Sequence, residues 1–397
     1  MPKIAGNAGY IAVIVLSVLF LIVGNSIVDD RPSAARDADG LYFRSAVVTD
    51  IVDIVEDRRT FGTDLEFVNT YIFFVARISG EGYVAAEQSL SSFAVTAERQ
   101  VREGDRILLV YDEFFGGYHF AGYVRINRIA VLGAVFFALM LLFGRKKGFD
   151  AIISLGFTCA AIFWVFVPAI LSGRNIYASA IVICVYAIVS TMVLVLGFGR
   201  KALGAVAGCL GGVVAAGVLM LLMDGVLNLT GMLNQEAQML SFLPIEVPLD
   251  LQALVFAGVI IGATGVIMDA AMSVASSVYE VREAGLSDFK GLLRSGLNVG
   301  KDVLGANLNT FILAYIGSSL SLVLLVFATA TSMAEFLNME MIAVEFLRVL
   351  VGSLGMLLTI PLTAAVCAKL CSKPQDPDSR DTDEYFYDDH FGYIRKD

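Results

Sequence analysis

Histidine is nearly absent from this sequence: His119 and His390 are the only two in 397 residues. That leaves almost no pool for His-based acid–base catalysis or His-rich metal binding. Charged residues make up 17% of the chain, against about 25% in soluble domains. No glycine-rich phosphate loop ending in Gly-Lys-Ser or Gly-Lys-Thr occurs, so the chain brings no ATPase of its own. The five cysteines, Cys159, Cys184, Cys209, Cys367 and Cys371, all lie in apolar runs or at the end of the last one. Cys367 and Cys371 sit one helical turn apart with no second pair beside them, so packing thiols fit better than a zinc or redox site. There is no basic stripe and the net charge is −10, which disfavours nucleic acid as a partner. With no catalytic constellation, metal set or cofactor motif in view, an enzyme is not expected.

What the chain has is apolar length. Hydrophobic residues make up 57%, and the mean hydropathy is +0.75. The excess is gathered into runs that match the ~20 residues needed to cross a hydrocarbon core. The first run, Gly9–Ile27, ends in Val23-Gly24-Asn25-Ser26. That is a poor match to a small-residue cleavage site, so it reads as a retained anchor. Seven more follow: about 129–143, 151–171, 176–198, 203–227, 251–278, 303–331 and 349–370. Pro361 inside the last predicts a kink, and Ser332–Arg348 reads as a short amphipathic helix on the surface.

Between the first two runs the text changes to β-branched and aromatic stretches broken by Gly, Asp and Ser, such as "LEFVNTYIFFVARISG" and "GDRILLVYD". This predicts a small barrel-like β domain. The expected organisation is therefore an α-helical polytopic membrane protein of about eight spans. It divides into an anchor helix at 1–27, an extracytoplasmic β-rich domain at 28–127, a seven-helix membrane domain at 128–372 and an acidic, aromatic, disordered tail at 373–397.

Orientation follows from the short loops. Arg145, Lys146, Lys147, Arg200, Lys201, Arg282, Lys290, Arg294, Lys301, Lys369 and Lys373 fall on one set of connections, and only Arg174 on the other. The basic side is read as cytoplasmic. Eight spans then put both termini in the cytoplasm and the β domain outside, in a plasma membrane.

The residues with chemical potential lie between 250 and 320. Asp269 interrupts an otherwise apolar helix, where a carboxylate costs about 2.5–3.5 kcal/mol on insertion scales. Asp269, Ser273, Ser276 and Glu280 share one helical face, which Gly265 and Gly262 extend; Gly258 and Gly262 form a G-x-x-x-G pair for close helix approach. Asn298, Asp302, Gly305 and Asn309 repeat the spacing on the next helix, followed by Tyr315. Facing each other, the two stripes would line a polar cavity opening inward, suited to a proton, Na⁺ or a hard divalent cation. The plainer readings are interhelical glue for the serines, an interfacial place for Glu280, and a helix-start carboxylate for Asp302. Glu345 and Arg348, spaced i, i+3, read as a surface ion pair.

The stretch "GATGVIMDAAMSVASSVYEV" resembles the YibE/F-like membrane protein family, and so does "LLRSGLNVGKDVLGANLNTFILAYIG" after it. "VREGDRILLVYD", "GRKKG", "GFGRKALGAVAGCLGGVVAAG" and "VGSLGMLLTIPLTA" extend the similarity over most of 100–370. The resemblance implies a multi-span membrane protein with an N-terminal extracytoplasmic region, and no assigned reaction or site.

Three functions are weighed. The first is a transporter or exporter of a small ion or small molecule, using the two stripes. The second is a non-transporting partner or scaffold whose β domain binds an envelope ligand or protein. The third is an intramembrane aspartyl protease. It is disfavoured because Val299-Gly300-Lys301-Asp302 stands where that class expects Gly-x-Gly-Asp.

Overall fold

The computed structural model describes residues 2–27, 41–61, 65–80, 82–91, 99–112, 116–233, 235–242, 248–372, 385–388 and 392–395. The chain divides into two compact units, one of residues 32–148 and one of residues 1–31 with 149–397.

The smaller unit holds five strands: β1 Leu41–Phe61, β2 Leu65–Ile78, β3 Gly82–Ser91, β4 Arg106–Asp112 and β5 Gly117–Tyr123. They close into a barrel in the order β1-β2-β3-β5-β4. The long β1 pairs with β4 through Leu41–Val47 and with β2 through Ala46–Phe61, and register shifts near Asp50 and Asp53 let it bend around the barrel. β3 and β5 run parallel at Ala86–Tyr118, which gives the strand order of an OB-type barrel. Strand alternation sets the core: Ile72, Phe74, Ala76 and Ile78 point inward with Val48, Ile107 and Leu109. Gln88 is buried among them. Its amide nitrogen donates to the Arg99 carbonyl at 3.0 Å, and its oxygen accepts from the Val101 N–H at 2.9 Å, pinning the segment before β4. The expected barrel is thus present at Leu41–Tyr123; residues 28–40 lie outside the described residues.

The helices are α1 Pro2–Ile27, α2 Ile126–Ala161, a π-turn at Ile162–Phe166, α3 Val167–Leu171, α4 Ile176–Leu196, α5 Arg200–Leu227, α6 Gln235–Ser241, α7 Leu251–Glu283, α8 Phe289–Ser318, α9 Leu320–Thr329, α10 Met333–Asn338 and α11 Glu340–Cys371. Among the described residues, six helical stretches are long and apolar enough to cross a membrane, or seven counting α8 with α9. α8 and α9 bend by 63°, so the run expected as one span over 303–331 is two helices. α2 breaks at Arg145, whose φ of 48° and ψ of −124° are not helical. Gly148 then passes the Met140 carbonyl too closely for any Cβ.

α11 is the packing centre of the larger unit, set against α5, α7 and α8. Its contact with α5 is a glycine ladder: Gly204, Gly208 and Gly212 meet Cys367, Thr363 and Thr359 in antiparallel register. On α8, Gly296 meets Val278 and Ala364, and Gly300 meets Val274 and Ile360. Pro361 lies within a continuous α11. The surface helix expected over 332–348 is confined to α10; Glu340–Arg348 form the first turns of α11, because nothing between Glu340 and Val351 breaks a helix. The cysteines are free, and Cys184, Cys209, Cys367 and Cys371 are buried, as packing thiols require. In the tail, Tyr385–Asp388 and Gly392–Arg395 pair as a short antiparallel hairpin, where a structureless segment was expected; the remaining tail residues lie outside the described ones.

Candidate functional site

The seam between α7 and α8 is filled by small and β-branched residues. Val274 and Val278 of α7 sit on Gly300 and Gly296 of α8, so the helices approach through bare backbone. The contacts run in antiparallel register, which brings Ser276 to the level of Asn298, Ser273 to that of Lys301 and Asp269 to that of Gly305.

The polar stripes stand beside this seam rather than in it. Asp269 and Glu280 are exposed on α7, with Ser273 and Ser276 half-buried between them. Asn298, Asp302 and Asn309 are exposed on the side of α8 away from Gly296 and Gly300, and Gly305 among them faces open space. The expectation that the stripes face each other across a cavity does not hold. The physical reason is the Gly296–Gly300 ridge, whose smooth surface lets α8 pack closely and takes the inward face of the helix.

The individual residues sort accordingly. The Asp269 carboxylate has no hydrogen bond or ion pair among the described residues. The Ser273 hydroxyl donates to the Asp269 backbone carbonyl at 2.9 Å and so serves its own helix. Asp302 lies well inside α8, which begins at Phe289 with Asp288 as its cap, so it is not a helix-start carboxylate. Asp269 and Asp302 are not hydrogen-bonded to each other. Gly258 and Gly265 face open space, and of the expected packing glycines only Gly262 is in tight contact; its neighbour is the Tyr315 hydroxyl.

That contact opens onto the Glu345–Arg348 pair, which lies partly buried rather than at the expected surface. Arg348 Nη1 lies 2.8 Å from Glu345 Oε1 on α11, and the two side chains are only 26% and 19% exposed. Glu345 Oε2 and Arg348 Nε are buried without hydrogen-bond partners. Tyr315 lies within electrostatic reach of both charges, and its ring packs edge-on against Phe311 at 4.8 Å. Phe311 in turn covers Gly352 of α11. A half-buried pair, a tyrosine hydroxyl and two glycine approaches therefore meet where α7, α8 and α11 converge. The signal available in the sequence was a Glu and an Arg on an apolar helix near a lone Tyr on its neighbour. Their i, i+3 spacing alone does not separate a surface pair from a buried one.

Among the described residues, no group of three or more His, Cys, Asp or Glu side chains could hold a metal ion. The family model described as YibE/F-like protein matches residues 132–373. No curated protein and no solved structure matches the chain.

Proposed function

Because the chain belongs to the YibE/F-like protein family, we propose that it is a multi-pass membrane transporter that couples movement of its substrate to a proton or small cation. The observation that carries this is Asp269, an ionisable side chain without a polar partner on a helix long and apolar enough to span a membrane. An intramembrane carboxylate is expensive, and such residues mark ion and substrate pathways. Serines and Glu280 continue its face toward the basic end of α7, and the Glu345–Arg348 pair with Tyr315 adds charge toward the other end.

The topology proposed with it has eight spans. The stretch Ile126–Leu171 is 46 residues, about 69 Å at 1.5 Å per residue, more than twice the ~30 Å hydrocarbon core. Divided at Arg145 it supplies two spans, and α8 with α9 supplies another. The basic loops then lie in the cytoplasm with both termini, and the barrel lies outside.

The test is flux of H⁺, Na⁺, K⁺, Mg²⁺ and Ca²⁺ in sealed proteoliposomes. Coupled flux in the native chain that disappears in Asp269→Asn is the expected result. Equal flux in both removes Asp269 from the pathway.

A second reading, a partner protein working through its barrel, is favoured by one feature. On the outward face, Phe73 is flanked by Asp53 of β1 and Glu87 of β3, and Tyr83 stands exposed on β3. Rings between carboxylates can hold a ligand. Under this reading the full chain captures an envelope component and moves no ion.

A further inference from the structure

Away from α7 and α8, a few buried polar side chains of α1, α2 and α4 come together and are incompletely hydrogen-bonded. Of the eight buried polar side chains among the described residues, four belong to this group: Ser17, Asp150, Ser154 and Ser190. They recur at helical spacing. Asp150 and Ser154 are one turn apart on α2, and Ser154 Oγ bonds Thr191 Oγ1 of α4 at 2.8 Å. Tyr186 and Ser190 are one turn apart on α4, and the Ser190 hydroxyl donates to the Tyr186 carbonyl at 2.7 Å.

Two hydroxyls at different depths are left over. Tyr10 OH is buried and has the Asp150 carboxylate within hydrogen-bonding reach, but the pair is not aligned as a well-formed hydrogen bond. Tyr186 OH is likewise buried, with the Ser17 and Ser190 hydroxyls within reach but neither aligned as a well-formed hydrogen bond, and the Phe20 ring stacks on its own at 4.2 Å. The depths follow from the packing: Gly9, next to Tyr10, sits on Phe198, where α4 has just ended at the basic end of the bundle, whereas Gly24 sits on Val165 near the other end. A buried hydroxyl whose nearby partners are misaligned still bears part of its desolvation cost, which a bridging water would relieve. Each of the two hydroxyls has at least one further polar group close by, which is the arrangement that holds an internal water.

We propose that water occupies the interface between α1, α2 and α4, admitting water and protons from the basic end, past Asp150, to the level of Tyr186. The Asp150 carboxylate stands at the entrance, and the hydroxyls of Ser154, Thr191, Ser190 and Ser17 can both donate and accept. This path is separate from the Asp269 stripe and does not rest on the transport reading.

The test is labelling of single variants Ser17→Cys and Ser190→Cys, in the otherwise native chain in open membrane fragments, with a small water-soluble thiol reagent. Such reagents attack the thiolate, which forms in water and not in a dry core. Peptide mass analysis reads each site. Ser287→Cys in the exposed α7–α8 connection is the wet control, and the buried native Cys209 is the dry one in every sample. Labelling clearly above that of Cys209, though slower than at Ser287→Cys, is expected at both positions; labelling no greater than that of Cys209 overturns the proposal. Tyr186→Phe gives a decision independent of reagent size. Its melting temperature is expected to fall; a rise, as for an unrelieved polar group in a dry interface, overturns the proposal.

Discussion

The Tyr315 hydroxyl fills the space that a Cβ on Gly262 would occupy. Gly262→Ala therefore displaces a ring already held against Phe311 and beside the Glu345–Arg348 pair. The expected cost is about 1–2 kcal/mol by overpacking. Tyr315→Phe in the Gly262→Ala background should recover much of it, because the colliding oxygen is gone. Melting temperatures of the two singles and the double check this; simple additivity would mean that the residues do not meet.

The packing glycines separate by helix face. Gly212→Ala on α5 puts a methyl against the Thr359 hydroxyl and the Gly355 carbonyl, and a backbone carbonyl cannot swing aside. A loss above about 2 kcal/mol is expected. Gly258→Ala and Gly265→Ala place theirs in open space and should be neutral, or stabilising by up to about 1 kcal/mol through helix propensity. Thermal unfolding in detergent distinguishes the two classes.

Breaking the α11 ion pair should cost more than removing it. Arg348→Met leaves the Glu345 carboxylate half-buried and alone, a loss of about 3–5 kcal/mol if the site behaves as other buried pairs do. Glu345→Leu combined with Arg348→Met should melt near the native chain. A single variant with native stability would return the pair to the surface class.

Apart from the long apolar helices, α10 carries a pH-dependent contact. The Thr331 hydroxyl and its backbone N–H both donate to the Glu335 carboxylate, and with a further N–H from Glu335 to the Ser332 hydroxyl they cap the helix. The Thr331 hydroxyl, then its backbone, holds the Glu335 carboxyl below the usual glutamate range. A lowered carboxyl adds stability above the unfolded value and loses it as pH falls through the folded one. Hydrogen exchange at the start of α10 should quicken as pH falls through the carboxylate range, after correction for intrinsic rates. Thr331→Val should weaken that dependence.

How far these features could be read from the chain depends on their range. Apolar length is local, so the ends of α4 and α5 fall within three residues of the expected runs. The strands of the barrel were legible for the same reason. Their order was not, since β1–β4 and β3–β5 pairing joins distant segments. Glycine spacing shows that a helix has a smooth face but not which neighbour uses it. Gly258 and Gly265 thus looked like packing residues, while the ladder at Gly204, Gly208 and Gly212 was not singled out. The stripes on α7 and α8 lie beside the helix seam rather than across it, because periodicity fixes an angle on one helix and says nothing of the turn of the next. Asp150 has one companion at helical spacing, Ser154, but its other polar neighbours lie on α1 and α4, so the cluster could not be read from one helix.

The most direct measurement of the central claim is coupled flux through the native chain, Asp269→Asn and Asp269→Glu, reconstituted side by side with each variant's melting temperature recorded. An unpaired carboxylate on an apolar helix contributes function and no stability. Asp269→Asn should therefore melt at or above the native temperature while coupled flux is lost, and Asp269→Glu should restore part of the flux. Asp269→Asn that transports as well as the native chain would contradict the account. So would a variant that unfolds because the carboxylate was holding the bundle together.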